Sequence, residues 1–154
     1  MNRSAAQDRR LRFWNEVLYN ALAPVYNAMD WLTLGAWWRL VSRALDAVPT
    51  GGRVLEVAFG PGKLHLALAR RADSCAGLDL AWGMCRYTYR RLLRAELTPR
   101  ITRGSVFALP YRTGAFDTVV STFAYSGFPD GPAAMHELAR VLAPGGRLVL
   151  VDIG

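Results

Sequence analysis

Lysine is almost missing from this chain: Lys63 is the only one among 19 basic residues, and the rest are arginine. The net charge of +7 is therefore an arginine charge, spread along the sequence rather than gathered. Small clusters stand at Arg9, Arg10 and Arg12, and at Arg86, Arg90, Arg91 and Arg94. The second has helical spacing and reads as a solvated helix face, not a phosphate track, so nucleic acid is disfavoured as a partner. Cysteine is scarce too. Cys75 and Cys85 form no C-x-x-C pair, and neither His65 nor His136 stands at ligand spacing from them. That excludes a disulfide scaffold and a zinc site, leaves the metal-ligand set empty, and fits a reducing cytoplasm. No run of about 18 uncharged apolar residues exists, so no spanning helix is expected. No apolar stretch follows the basic start, so no secretory leader is expected either, and the reading is a soluble or at most peripheral protein.

What is present is core-forming material: 154 residues, 52% of them hydrophobic, with five tryptophans, enough for one domain with a real interior. Residues 13–48 read as helical and carry Trp14, Trp31, Trp37 and Trp38, with Pro24 and Gly35 dividing the stretch. After a turn at 49–52, apolar runs and helical patterns alternate. Strands are expected near 53–57, 75–79, 100–103, 116–122 and 147–152. Helices are expected near 63–71, 83–96 and 132–141, the last ended by Pro144, Gly145 and Gly146. Such alternation predicts an α/β fold with a doubly wound, mostly parallel sheet of about five strands. Residues 1–50 read as an N-terminal helical lid and residues 51–154 as the ligand-binding domain.

In that architecture ligands bind at the carboxyl ends of the strands, where strand order reverses. The segment Val54-Leu-Glu-Val-Ala-Phe-Gly-Pro-Gly62 runs from a buried strand through a glycine turn into a helix. Gly60 and Gly62 let the backbone turn sharply and approach something closely. Glu56 is the deciding residue, because a carboxylate at the loop's mouth repels a pyrophosphate and attracts an ammonium. The loop points to a cationic or zwitterionic nucleoside. Asp79 ends the next strand, where a carboxylate can accept both ribose hydroxyls; it can equally cap the helix that follows, and the two roles are compatible. A dinucleotide fingerprint fails, since Lys63 or His65 falls where the third glycine belongs. A Walker loop fails because Leu64 follows Lys63. A nicotinamide-dependent oxidoreductase is thereby the weaker alternative.

With both acids and the glycine turn in place, the chain resembles class I S-adenosylmethionine-dependent methyltransferases, a Rossmann-like family. Five segments fall in order: VLEVAFGPG at 54–62, GLDLAWGM at 77–84, GSVFALPY at 104–111, FDTVVSTF at 116–123 and ELARVLAPGGRLVLVD at 137–152. The stretch 18–30 with LGAWW at 34–38 is similar to the helical entry of the ubiquinone/menaquinone C-methyltransferase branch. The resemblance implies S-adenosyl-L-methionine as cofactor. Glu56 would face its methionine part, with Ala58, Gly60 and Gly62 passing close by. Asp79 would hold the ribose, Leu80 and Met84 would pack on the adenine, and Ser105 and Val106 would meet its edge. Ser121, at the end of the fourth strand, joins the set, and Tyr26 would close the pocket from the N-terminal helices. Leu80 and Met84 are equally accounted for as core packing.

Ala58 stands where most of the superfamily has glycine, although the quinone-methylating branch resembles it in this. Ser105 replaces a frequent acid or amide, and Asn27 a frequent Asp. Family members normally continue past the fifth strand with a helix and two more strands, so a C-terminally truncated piece is expected, or else a homo-oligomer covering the last strand. The implied reaction is methyl transfer to a small-molecule, quinone-precursor or lipid-like acceptor, with a non-catalytic cofactor-binding remnant as the alternative. In-line transfer needs alignment and water exclusion more than a protein nucleophile. If a base is needed, Tyr125 is the best placed catalytic candidate, since His65 and His136 read as surface or packing residues. Peripheral membrane contact through Trp31, Trp37, Trp38 and the basic N-terminus competes with a plain packing role for these aromatics.

Overall fold

The computed structural model describes residues 36–152. Its elements run α1 (Ala36–Ala47), β1 (Arg53–Val57), α2 (Lys63–Ala69), β2 (Ser74–Asp79), α3 (Trp82–Arg94), β3 (Ile101–Arg103) and β4 (Phe116–Thr122). A 3-10 turn (Tyr125–Gly127), α4 (Gly131–Val141) and β5 (Leu142–Val151) follow. The five strands form one sheet in the order β3-β2-β1-β4-β5, and every neighbouring pair is parallel. The expected α/β doubly wound sheet is thus present. Strand order reverses between β1 and β4, the place where sheets of this kind take ligands in a crevice at the carboxyl ends of their strands.

Strand alternation distributes the apolar side chains over two cores. Leu55, Val57, Leu78 and Val119 pack with Ala134, Leu138 and Val141 of α4 on one face. Val54, Val120 and Val149 pack with Val41, Ala44 and Val48 of the α1 segment and Leu64 and Leu68 of α2 on the other. The part of the expected helical lid that is described therefore forms a layer on the sheet. Trp38 belongs to it, with the Lys63 ammonium 4.6 Å from its ring centroid. Trp31, Tyr26, Asn27 and the rest of residues 1–35 lie outside the described residues.

Element positions agree with the apolar periodicity to within a few residues except at β5. Leu142 pairs with Phe116, and pairing resumes only at Arg147 with Thr118, so residues 143–146 bulge from the ladder. Pro144 has no amide hydrogen to contribute, and Gly145 takes φ +75°. The strand therefore starts ahead of the Pro-Gly-Gly turn that was expected to separate it from α4. Among the described residues β5 is an edge of the sheet.

One polar clamp fixes the long connection between β3 and β4, which carries Ser105 and Val106. Arg140 of α4 donates to the carbonyls of Tyr111 (2.8 Å) and Leu109 (2.9 Å) and pairs with Glu137 at 2.6 Å. Glu137 in turn accepts the Leu109 amide at 2.8 Å. The arginine pairing holds the Glu137 carboxyl down at about 2, and Arg53 does the same for Asp117 across β1 and β4, also to about 2. Both carboxyls sit lower in the folded than in the unfolded chain, so their contributions are full above the ordinary carboxylate range and fade as pH falls toward 2. Arg140→Met is expected to destabilise the fold, because it strands two carbonyls and a carboxylate. Thermal unfolding at neutral pH should show a clear drop in Tm, and Glu137→Gln should flatten the loss of Tm with acidification. An unchanged acid limb would remove the clamp from the account.

Candidate functional site

The crevice is framed by the ends of β1 and β2 and the loop between β1 and α2. That loop is conformationally demanding: Ala58, Gly60 and Gly62 all have positive φ, at 56°, 54° and 70°. A non-glycine residue pays about 1–2 kcal/mol for this region, so Ala58 holds strain that glycine would not. The Ala58 amide donates to the Leu78 carbonyl at 2.7 Å, tying the end of β1 to β2.

The two glycines do different work. A Cβ on Gly60 would meet nothing within 4 Å, so the chain there faces open space. A Cβ on Gly62 would come within 2.4 Å of the Thr88 side chain on α3. Thr88 is itself buried and donates from Oγ1 to the Gly60 carbonyl at 3.2 Å. Gly62 thus lets α3 pack against the loop, while Gly60 presents backbone to whatever enters the crevice.

Asp79 organises the loop from the neighbouring strand. Its Oδ2 accepts the Gly60 amide and its Oδ1 the Ala81 amide, each at 2.9 Å. Ala81 is the N-cap of α3, so Asp79 ties the start of that helix to the loop after β1 without itself being the capping residue. Burial pushes the Asp79 carboxyl up, and the amides of Ala81, Gly60 and Leu80 pull against that.

Glu56 is fully buried, and its Oε2 lies 3.1 Å from Nδ1 of an equally buried His65 on α2. Burial raises the Glu56 carboxyl, the His65 hydrogen bond opposes the rise, and Asp79 adds a smaller upward push. His65 is neither a surface residue nor ordinary apolar packing: its ring fits where Gly77, the β2 partner of Glu56, has no side chain. A Cβ on Gly77 would come within 2.8 Å of the ring. A glycine inside a strand marks close approach of this kind, and Gly77 is the one signal from which the space His65 fills could have been found.

The other expected residues are placed as follows. Leu80 is exposed beside the crevice, at 42% of its full accessibility, whereas Met84 is buried with Phe59, Ala81 and Cys85. Ser105 accepts the Phe107 amide at 3.2 Å, and Val106 lies in the α4-side core. The Ser121 hydroxyl is buried with no hydrogen-bond partner among the described residues. Tyr125 follows β4 in the 3-10 turn, half-buried, its ring edge-on to Phe128. His136 is exposed on α4. Glu56, Asp79 and the glycine loop are brought together; Tyr26 cannot be placed, being outside the described residues. Among the described residues no group of three His, Cys, Asp or Glu side chains gathers that could hold a metal ion.

Residues 55–150 match the family model described as a methyltransferase domain. The chain is 37% identical over 142 residues to the demethylmenaquinone methyltransferase of Thermus thermophilus, spanning 88% of this chain and 64% of that protein. It is 30% identical to the 2-phytyl-1,4-naphtoquinone methyltransferase of Nostoc punctiforme, over 90% of this chain and 64% of that one. The chain thus spans less than two-thirds of the length of these curated relatives. Among solved structures, a DhpI complex with SAH superposes with a TM-score of 0.75 at 26% identity, covering 90% of this chain and 67% of that one.

Gly62→Ala is expected to destabilise the fold by about 2–4 kcal/mol, from left-handed backbone strain plus overpacking on Thr88. Thr88→Ala in the same chain should recover part of the loss, visible as a less-than-additive change in denaturant midpoint. Strict additivity would mean that the two side chains do not meet.

Proposed function

This chain belongs to the S-adenosylmethionine-dependent methyltransferase family, and from that premise we propose that its crevice binds S-adenosyl-L-methionine for methyl transfer to a quinone-type acceptor. The observation that carries the reading is the pair of buried carboxylates, Glu56 and Asp79, at adjacent strand ends with open space above Gly60. Buried acids without cations are costly. A ligand that brings an ammonium and two vicinal hydroxyls offsets that cost at both.

In this reading Glu56 takes the methionine ammonium and Asp79 the ribose hydroxyls. Ala58, Gly60 and Gly62 supply close backbone. Leu80 lies against the adenine, with Met84 packed beneath, and Ser105 and Val106 at its edge. Ser121 offers its buried hydroxyl from the end of β4. When bound, the cofactor supplies an electrophilic methyl on a sulfonium. The protein's task is then to hold the acceptor in line with that methyl, to exclude water, and to remove the acceptor's proton, for which Tyr125 is the proposed base.

The quinone-type acceptor rests on the names of the two relatives, both of which methylate naphthoquinone-class molecules by those names. Such an acceptor is lipid-soluble, so peripheral contact with a membrane belongs to the same reading; among the described residues no helix is long and apolar enough to cross one. Trp38, packed under Lys63, is a poor candidate for that contact. A cytoplasmic setting accords with Cys75 and Cys85, buried free thiols that burial pushes well up, Cys85 to about 12. Self-association through the β5 edge is the partner arrangement this reading allows.

Isothermal titration with S-adenosylmethionine and S-adenosylhomocysteine tests the proposal. Glu56→Gln and Asp79→Ala are each expected to weaken binding by roughly 10- to 100-fold, the worth of a hydrogen bond to a charged group. Protonation removes the charge that Glu56 offers an ammonium. Affinity should therefore fall as pH drops through the raised carboxyl range, earlier than for an ordinary glutamate. A folded wild-type sample that binds neither ligand would sink the proposal, and binding without turnover on any quinol would favour the non-catalytic alternative.

A further inference from the structure

His65 is an expensive residue in its position. It is completely buried, its Nδ1 faces Glu56 Oε2 at 3.1 Å with the Cys75 sulfur 3.9 Å away, and its Nε2 has no hydrogen-bond partner among the described residues. A leucine or methionine would occupy much the same space beside Phe59 without stranding a nitrogen. The surroundings are nevertheless shaped for an imidazole. Gly77 withholds a side chain where the ring edge lies, and Phe59 packs against the ring with centroids 5.5 Å apart. Stability therefore does not account for His65. What it does uniquely is form a hydrogen bond through Nδ1 with the carboxylate at the mouth of the loop.

We propose that His65 is a positioning residue for cofactor recognition: from behind the sheet it holds the Glu56 carboxylate in place and keeps it ionised to receive the ammonium of the amino-acid part of the ligand. The inference rests on the reading of Glu56 given above. It separates the site into two independently supported halves. Asp79, held by the Gly60 and Ala81 amides, serves the nucleoside, and Glu56, held by His65, serves the amino acid. The titratable groups facing the pair among the described residues are Asp79 and Cys75, both from β2, and neither offers Glu56 a positive charge. His65 is thus the group that favours its ionised form, through the hydrogen bond first and through charge second.

Two probes distinguish this role from a structural one. S-adenosylhomocysteine carries the ammonium, whereas 5′-methylthioadenosine has the same nucleoside without it. His65→Met is expected to weaken S-adenosylhomocysteine by about ten-fold while leaving methylthioadenosine within about two-fold. Because Glu56 would then ionise less readily, the pH midpoint of S-adenosylhomocysteine affinity should move upward. His65→Asn, which retains an N–H donor near the Nδ1 position, should restore part of both, and it keeps the test open if the methionine variant folds poorly. Equal weakening of the two probes, or no change in either, would overturn the inference. The outcomes also separate this claim from its premise. Wild-type protein that binds neither probe overturns the cofactor reading itself, and an unaffected Glu56→Gln variant overturns the ammonium assignment. A response to Glu56→Gln but not to His65→Met overturns the role of His65 alone.

Discussion

The candidate site hangs on one carboxylate that bridges two loops. Asp79 receives the Gly60 amide with one oxygen and the Ala81 amide with the other, so the turn after β1 and the start of α3 share a single anchor. The glycine loop and the start of α3 inherit their positions from that tie. Thr88 reaches back from α3 to the Gly60 carbonyl, Gly62 makes room for Thr88, and α2 starts at the residue after Gly62. The parallel pairing of β1 with β2 puts Asp79 beside the loop in the first place.

This arrangement carries local costs. Two carboxylates are taken from water, Ala58 is held with positive φ, and His65 and Ser121 each leave a buried polar atom without a partner among the described residues. Burial raises both Glu56 and Asp79, so in the free protein their ionised forms oppose folding as pH rises through their raised values. Strain and unsatisfied polar groups that cluster at one end of a sheet mark a surface organised for a ligand. The opposite end carries conventional stabilising pairs such as Arg53 with Asp117, where opposite charges lie 2.6 Å apart in partial exposure.

The proposed division of labour follows the order of the elements along the chain. The acids and the glycine loop all lie between β1 and α3, within the region that matches the family model. The proposed base, Tyr125, belongs to the far side of the crevice, after β4. The residues proposed for the nucleoside and the one proposed for the acceptor thus stand at the ends of different strands.

The sequence alone determined the order of elements, because apolar runs bounded by Gly and Pro have few ways to form anything but buried strands alternating with amphipathic helices. It also determined Glu56 and Asp79, since an acid at the end of an apolar strand stands out against its neighbours. Only the tertiary structure decided that Gly62 serves helix packing while Gly60 faces open space, because Thr88, which crowds one and not the other, is brought there by α3. It likewise placed the start of β5 at Leu142, where pairing with Phe116 overrides the Pro-Gly-Gly signal. His65 shows the limit most clearly. Helical periodicity can say that a histidine lies on an inner face, but the carboxylate it meets comes from a strand and the space it fills comes from a glycine on another. Interactions across a sheet leave no local periodicity to read.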